Sequence, residues 1–183
     1  MSLRLLLARC LLPLVRGGAV LRDLFDATAQ AFAVQPPQLP PRLRRRDLVR
    51  AYASFTREQA EKTLAEPWRV DAVRARLQES ARALGARARK QMGVRTRGQA
   101  MSAARLIYRL LGIDLRGAVD GGIVVGDCFF ASHYTPEVCR LISALDAGLL
   151  DGLAGGGRLQ FSQRITEGAA ECRARFDFAT GAK

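Results

Sequence analysis

Residues 121–178 read GGIVVGDCFFASHYTPEVCRLISALDAGLLDGLAGGGRLQFSQRITEGAAECRARFDF, and this stretch decides the fold. Gly121-Gly122 precedes Ile123 to Phe130, a β-branched and aromatic run that predicts a strand. Thr135-Pro136-Glu137 then predicts a helix start, with a hydroxyl N-cap, proline at the first position and a carboxylate in the first turn. The helix is expected to run to about Leu153 and stop at Gly155-Gly156-Gly157. Beyond it Leu159, Phe161 and Ile165 alternate with Arg158, Gln160, Ser162 and Arg164. After a turn through Glu167-Gly168, Cys172, Ala174, Phe176 and Phe178 share one face against Arg173, Arg175 and Asp177. Period-two alternation on both sides of a turn predicts a hairpin.

Upstream of this unit the period changes to that of a helix. Leu48, Tyr52 and Phe55 mark one helix, and Pro67 suits the first position of the next. Val70, Val73, Leu77, Ala81 and Leu84 form its stripe, and Met101, Ala104, Ile107, Tyr108 and Leu111 form that of a third, with Gly112 as its stop. Residues 3–34 also read as helical, broken at Pro13 and Gly17-Gly18, and residues 35–46 (QPPQLPPRLRRR) read as a linker. The expected class is α+β: a helical N-terminal half, then a strand-helix-hairpin unit with a small antiparallel sheet. The expected division is a helical extension and Pro/Arg-rich linker over 1–46 and a single α+β domain over 47–183. Trp68 and the Phe residues are expected in the core.

Charge divides along the same line. The 183 residues carry a net charge of +12, but residues 1–110 hold +14 and residues 111–183 hold −2. Basicity therefore belongs to the helical front. Arg87, Arg89, Lys90, Arg95 and Arg97 cluster there, either as a solvated face or as an acidic-partner contact. The Leu-rich pieces with Arg4, Arg9, Arg16 and Arg22 suit docking of residues 1–46 on an anionic membrane surface or a partner protein; packing on the domain itself or in a homodimer competes. No recognition motif or aromatic platform points to nucleic acid. No run of about 18 apolar residues occurs, and Arg4, Arg9 and Arg16 interrupt any signal-peptide pattern, so the expected location is cytoplasmic, at most peripheral to a membrane.

Chemistry is expected in the acid-neutral unit. Cys128 ends a strand, Cys139 lies in the first helical turn and Cys172 starts the last strand, so pairing of that strand with the first would bring all three together. On the helical wheel Val138, Leu141, Ile142, Leu145 and Leu149 face the core, while Cys139, Ser143 and Asp146 lie on its flank. A helix N-terminus favours thiolate at Cys139, and partial shielding shifts a carboxyl at Asp146. His133 is the only histidine, placed between Cys128 and Cys139. Cys139 or Cys128 as nucleophile, Asp146 as general base and His133 as proton shuttle make a hydrolytic set. The same Cys128, Cys139 and Cys172, with His133, make a zinc or other transition-metal set, although their spacing matches no zinc-finger pattern. Each also has a plain reading as a small core residue or solvated loop side chain.

The strings Cys128-Phe129-Phe130, Pro136 to Asp146, Gly168 and Cys172-Arg173-Ala174-Arg175-Phe176 resemble the L-2-amino-thiazoline-4-carboxylic acid hydrolase family. More loosely they are similar to the bacteriochlorophyll 4-vinyl reductase-type ligand-binding domain. The resemblance covers about residues 95–178. It implies positions for Cys128, Cys139, Asp146, Gly168 and Cys172, and hydrolysis of a small polar heterocycle of the thiazoline-carboxylate type. The looser resemblance implies a non-catalytic module that binds a small molecule or a metal. Ser143 stands where many relatives have a further Cys, which weakens an all-Cys metal site, and Phe129 stands where many have Pro.

Overall fold

The computed structural model describes residues 17–179; the helical and docking expectations for residues 1–16 lie outside them. The fold is α+β, with helices leading and a four-stranded antiparallel sheet following. The helices are α1 (Gly17–Phe32), α2 (Arg45–Leu64), α3 (Pro67–Met92) and α4 (Arg97–Leu110). Then come β1 (Ile113–Gly117), β2 (Gly122–Cys128), a 3₁₀ turn (Phe129–Ser132), α5 (Pro136–Ile142), α6 (Ala144–Ala154) and β3 (Gly157–Gln163). A second 3₁₀ turn (Ile165–Glu167) leads into β4 (Cys172–Phe178).

Local chemistry places these elements. Thr96 accepts from the Gln99 N–H while the Gln99 side chain returns to the Thr96 N–H, a capping box that starts α4. Thr135 accepts from the Val138 N–H and Pro136 follows it, as the sequence predicts for α5. The helix expected to run unbroken from Pro136 to Leu153 is divided at Ser143. Its hydroxyl donates to the Arg140 carbonyl at 3.1 Å, and such back-bonding bends a helix.

Alpha1 is no detached extension. Leu21 and Phe25 are buried in the same cluster as Leu48, Tyr52, Val73 and Leu77, so the expected boundary at residue 46 does not part α1 from the core. The Pro-rich stretch is a connection within the domain, tied back where Arg22 donates to the carbonyls of Pro40 and Pro41. Trp68, expected in the core, is 79% exposed as the second residue of α3.

The most extensive contact in the fold is α3 against α6. Three glycines permit it. A Cβ on Gly148 would lie 2.0 Å from the Gln78 carbonyl oxygen, one on Gly152 2.2 Å from that of Arg82, and one on Gly85 2.3 Å from that of Leu149. The two backbones therefore touch directly, and no side chain fits between them.

The sheet order is β1-β2-β4-β3, all antiparallel. Leu115, Ile123, Val125, Ala174 and Phe176 turn inward into a second core with Met101, Ala104 and Leu153. Strand β1 is the element that sequence periodicity missed, because Ile113 to Gly117 is short, polar at Asp114 and Arg116 and attached directly to α4. It matters because Ile113 pairs with Cys128 while Leu115 pairs with Val125, so β2 carries one extra residue. That bulge reverses the alternation and returns Cys128 to the inner face. Val125 pairs with Cys172, which brings β4 beside β2, the strand of Ile123 to Cys128, as the sequence argument required.

Candidate functional site

Between the helices and the end of the sheet lies a mostly apolar cavity of about 180 Å³. Leu21 and Leu24 of α1, Tyr52, Ala81 and Leu149 supply apolar wall. Asp23, Arg87 and Gln91, all exposed, mark its open side. The polar groups within are few: Asp146, Tyr108, Ser143, Thr166 and the thiols of Cys128, Cys139 and Cys172.

Asp146 is the central group. It stands in the first turn of α6, on the flank the helical wheel assigned to it, and its surface opens into the cavity. Burial pushes its carboxyl up to about 6, against the opposing influence of the Tyr108 hydrogen bond and the Arg164 charge. Tyr108 in α4 donates to Asp146 Oδ1 at 2.7 Å. Burial and the facing carboxylate raise the Tyr108 phenol well above its ordinary value, so it stays protonated as a donor. Sequence reading placed Tyr108 in a core stripe. Nothing in local periodicity shows that its hydroxyl meets a carboxylate 38 residues away.

The three expected cysteines do line one cavity, each as a free thiol. Burial pushes Cys128 up to about 12, against backbone N–H donation from Phe130 and Ala131. Burial also raises Cys139, against the Thr166 hydroxyl and the Arg164 charge. The thiolate expected at the start of α5 is thus not favoured: desolvation outweighs the helix end. Cys172 Sγ accepts from the Ile165 N–H at 3.3 Å.

The expected metal set does not form. Among the described residues no three His, Cys, Asp or Glu side chains are gathered to hold a metal ion. The thiols sit on three elements around a common space, and Ser143 stands on the wall where a further cysteine would face them. His133 is also elsewhere. The 3₁₀ turn after Cys128 lays its ring over Phe129, 4.5 Å between centroids, and Nδ1 engages the Phe129 carbonyl and the Ser132 hydroxyl. It does not line the cavity, so the expected proton-shuttle position is not met.

Tyr52, Phe130 and Tyr134 also line the cavity, and the hydroxyls of the two tyrosines are already partnered. Thr28 bonds the Tyr52 hydroxyl at 2.8 Å, Thr56 bonds that of Tyr134, and Phe130 packs against both Tyr rings. These hydroxyls are already committed and leave Asp146 and Tyr108 as the paired groups that a cavity occupant would meet.

Among the described residues no helix is long and apolar enough to cross a membrane. Neither comparison with protein-family models nor comparison with curated proteins finds a match for this chain.

Proposed function

We propose that the chain is a small-molecule-binding domain. Its ligand is compact and largely apolar, with a polar group directed at Asp146 and Tyr108. The observation that carries this reading is the cavity itself: an apolar wall around one hydrogen-bonded carboxyl–phenol pair is the usual composition of a ligand site. A volume of about 180 Å³ suits a ligand on the order of ten non-hydrogen atoms. The resemblance to the thiazoline-hydrolase family agrees with this in ligand size.

The test is a thermal-shift and ligand-observed NMR screen of small compounds, repeated on Ala88→Phe, which fills the cavity wall from a half-buried position. Compounds that bind the native chain should be lost in the variant. No binder, or binders indifferent to Ala88→Phe, would overturn the reading.

Hydrolysis is a second reading, supported by the carboxyl of about 6 at Asp146. A group of that acidity exchanges protons near neutral pH and suits general acid–base work on a cyclic amidine. Cys139 and Cys128 then act as neutral thiols beside the substrate. Turnover of a thiazoline-carboxylate that disappears in Asp146→Asn supports it; full turnover in that variant would sink it.

A further inference from the structure

Cations without matching acids gather at one end of the helical layer, around the open side of the cavity. The far half of α2 and the start of α3 are balanced: Arg57 pairs with Glu61, Lys62 with Glu58, Arg69 with Glu66 and Arg74 with Asp71. The opposite ends are not. Residues 42–46 read RLRRR, and from Leu84 to Met92 α3 carries Arg87, Arg89 and Lys90 with no acid.

Three hydrogen-bonded contacts bring these segments together. Arg22 of α1 donates to the carbonyls of Pro40 and Pro41, which holds the Pro/Arg-rich stretch beside α1. Arg45 donates to the Arg109 carbonyl, which ties the start of α2 to the end of α4. Arg76 donates to the Ala31 carbonyl, so the end of α1 meets the middle of α3. The start of α1 then lies beside the end of α3, where Asp23 and Arg87 both line the cavity. Among the described residues no carboxylate pairs with the exposed side chains of Arg46, Arg87 or Arg109. Asp23, Asp26 and Asp47 are the acids on these segments, and the cations outnumber them.

The middle of this face is apolar. Val20, Leu24 and Ala88 are half-buried and line the cavity beside Asp23, Arg87 and Gln91 on the same two helices. A cationic rim around an apolar centre matches the two parts of an anionic bilayer, phosphate headgroups and the acyl chains just beneath them. A nucleic acid or an acidic protein segment answers the rim alone.

We propose that this end of the molecule docks on an anionic membrane surface, with the cavity opening onto the lipid. The surface is wider than residues 1–46, because α3 and α4 contribute Arg87 and Arg109. The docking does not depend on what the cavity binds.

The experiment is co-sedimentation of the full chain with vesicles of phosphatidylcholine alone and of phosphatidylcholine mixed equally with phosphatidylglycerol. The mixed vesicles should carry the chain down and the neutral ones should not, and binding should weaken with added salt. Replacing Arg46, Arg87 and Arg109 together by Gln should weaken binding by about tenfold or more. Replacing Arg158, Arg173 and Arg175 by Gln removes the same charge from the exposed face of the sheet and should leave binding unchanged. Orientation is read with lipid brominated in its acyl chains. Trp68 is the only Trp and stands at the other end of α3, roughly 35 Å along the helix from Gln91. Native fluorescence should escape quenching, whereas Gln91→Trp in a Trp68→Phe chain should be quenched; this arm alone carries the test if the triple variant fails to fold. The docking is overturned by any of five results: no binding to mixed vesicles, full binding by the Arg46, Arg87 and Arg109 variant, equal loss in the sheet-face variant, quenching of Trp68 but not of Gln91→Trp, or a DNA duplex held more tightly than the vesicles.

Discussion

At the scale of single residues, Asp146 makes the sharpest demand on experiment. Its carboxyl titrates near 6 in the fold and near its ordinary value of 3.8 in the unfolded chain. Between those values the folded state holds a proton that the unfolded state has lost. The carboxyl's contribution therefore lowers stability as pH rises through this window and is level above it. A shift of about two units corresponds to up to about 3 kcal/mol. Asp146→Asn still accepts from Tyr108 but cannot ionise. Chemical denaturation from pH 4 to 8 should show the variant without this slope and more stable than the native chain at pH 8; parallel profiles would refute the shift. The cysteines give a second check. With Cys128 near 12 and Cys139 raised, iodoacetamide at pH 8 should modify both more slowly in the folded than in the urea-unfolded chain, Cys128 by at least about a hundredfold, read by peptide mapping. Comparable rates would mean exposed or activated thiols.

At the scale of elements, what was legible in the sequence was whatever local periodicity carries. The capped start at Thr135, the hairpin of Leu159 and Phe176 and the stripe of Val73, Leu77 and Ala81 all follow from spacing and end chemistry. The convergence of Cys128, Cys139 and Cys172 on one space was legible too, since it needs only β4 beside β2. What stayed hidden depends on partners distant in sequence. The β2 bulge that re-aims Cys128 is visible only against Ile113, and the Tyr108–Asp146 bond only once α4 meets α6. His133 is near Cys128 and Cys139 in sequence but not in the cavity, because a 3₁₀ turn lays its ring on Phe129. The reason for the glycines of α6 lies in α3, whose backbone is packed against them. Gly152→Ala places a methyl 2.2 Å from the Arg82 carbonyl oxygen, which backbone cannot yield cheaply. The expected loss is about 3 kcal/mol or more by denaturant midpoint, despite the better intrinsic helix propensity of alanine. A neutral or stabilising effect would show that the helices separate without cost.

At the scale of the whole molecule, the buried apolar residues form two clusters rather than one. The first joins α1, α2, α3 and α5; the second joins α4, the sheet and the end of α6. Ile113, Cys128 and Leu149 pack against both, and all three line the cavity. The cavity thus occupies the junction of the two cores, and the direct α3–α6 contact is the structural tie across it. If that tie is as rigid as backbone contact implies, neither core melts alone. Phe25→Ala in the first cluster and Phe176→Ala in the second each remove a buried ring, at a cost of about 3–5 kcal/mol. Both variants should nevertheless unfold in one transition, with far-ultraviolet circular dichroism and tyrosine fluorescence coincident. A ligand seated at the junction should raise that single midpoint in the native chain, because it stabilises the folded state of both clusters at once. Separated transitions in either variant would show that the clusters are independent and that the cavity is a seam between two weakly joined units.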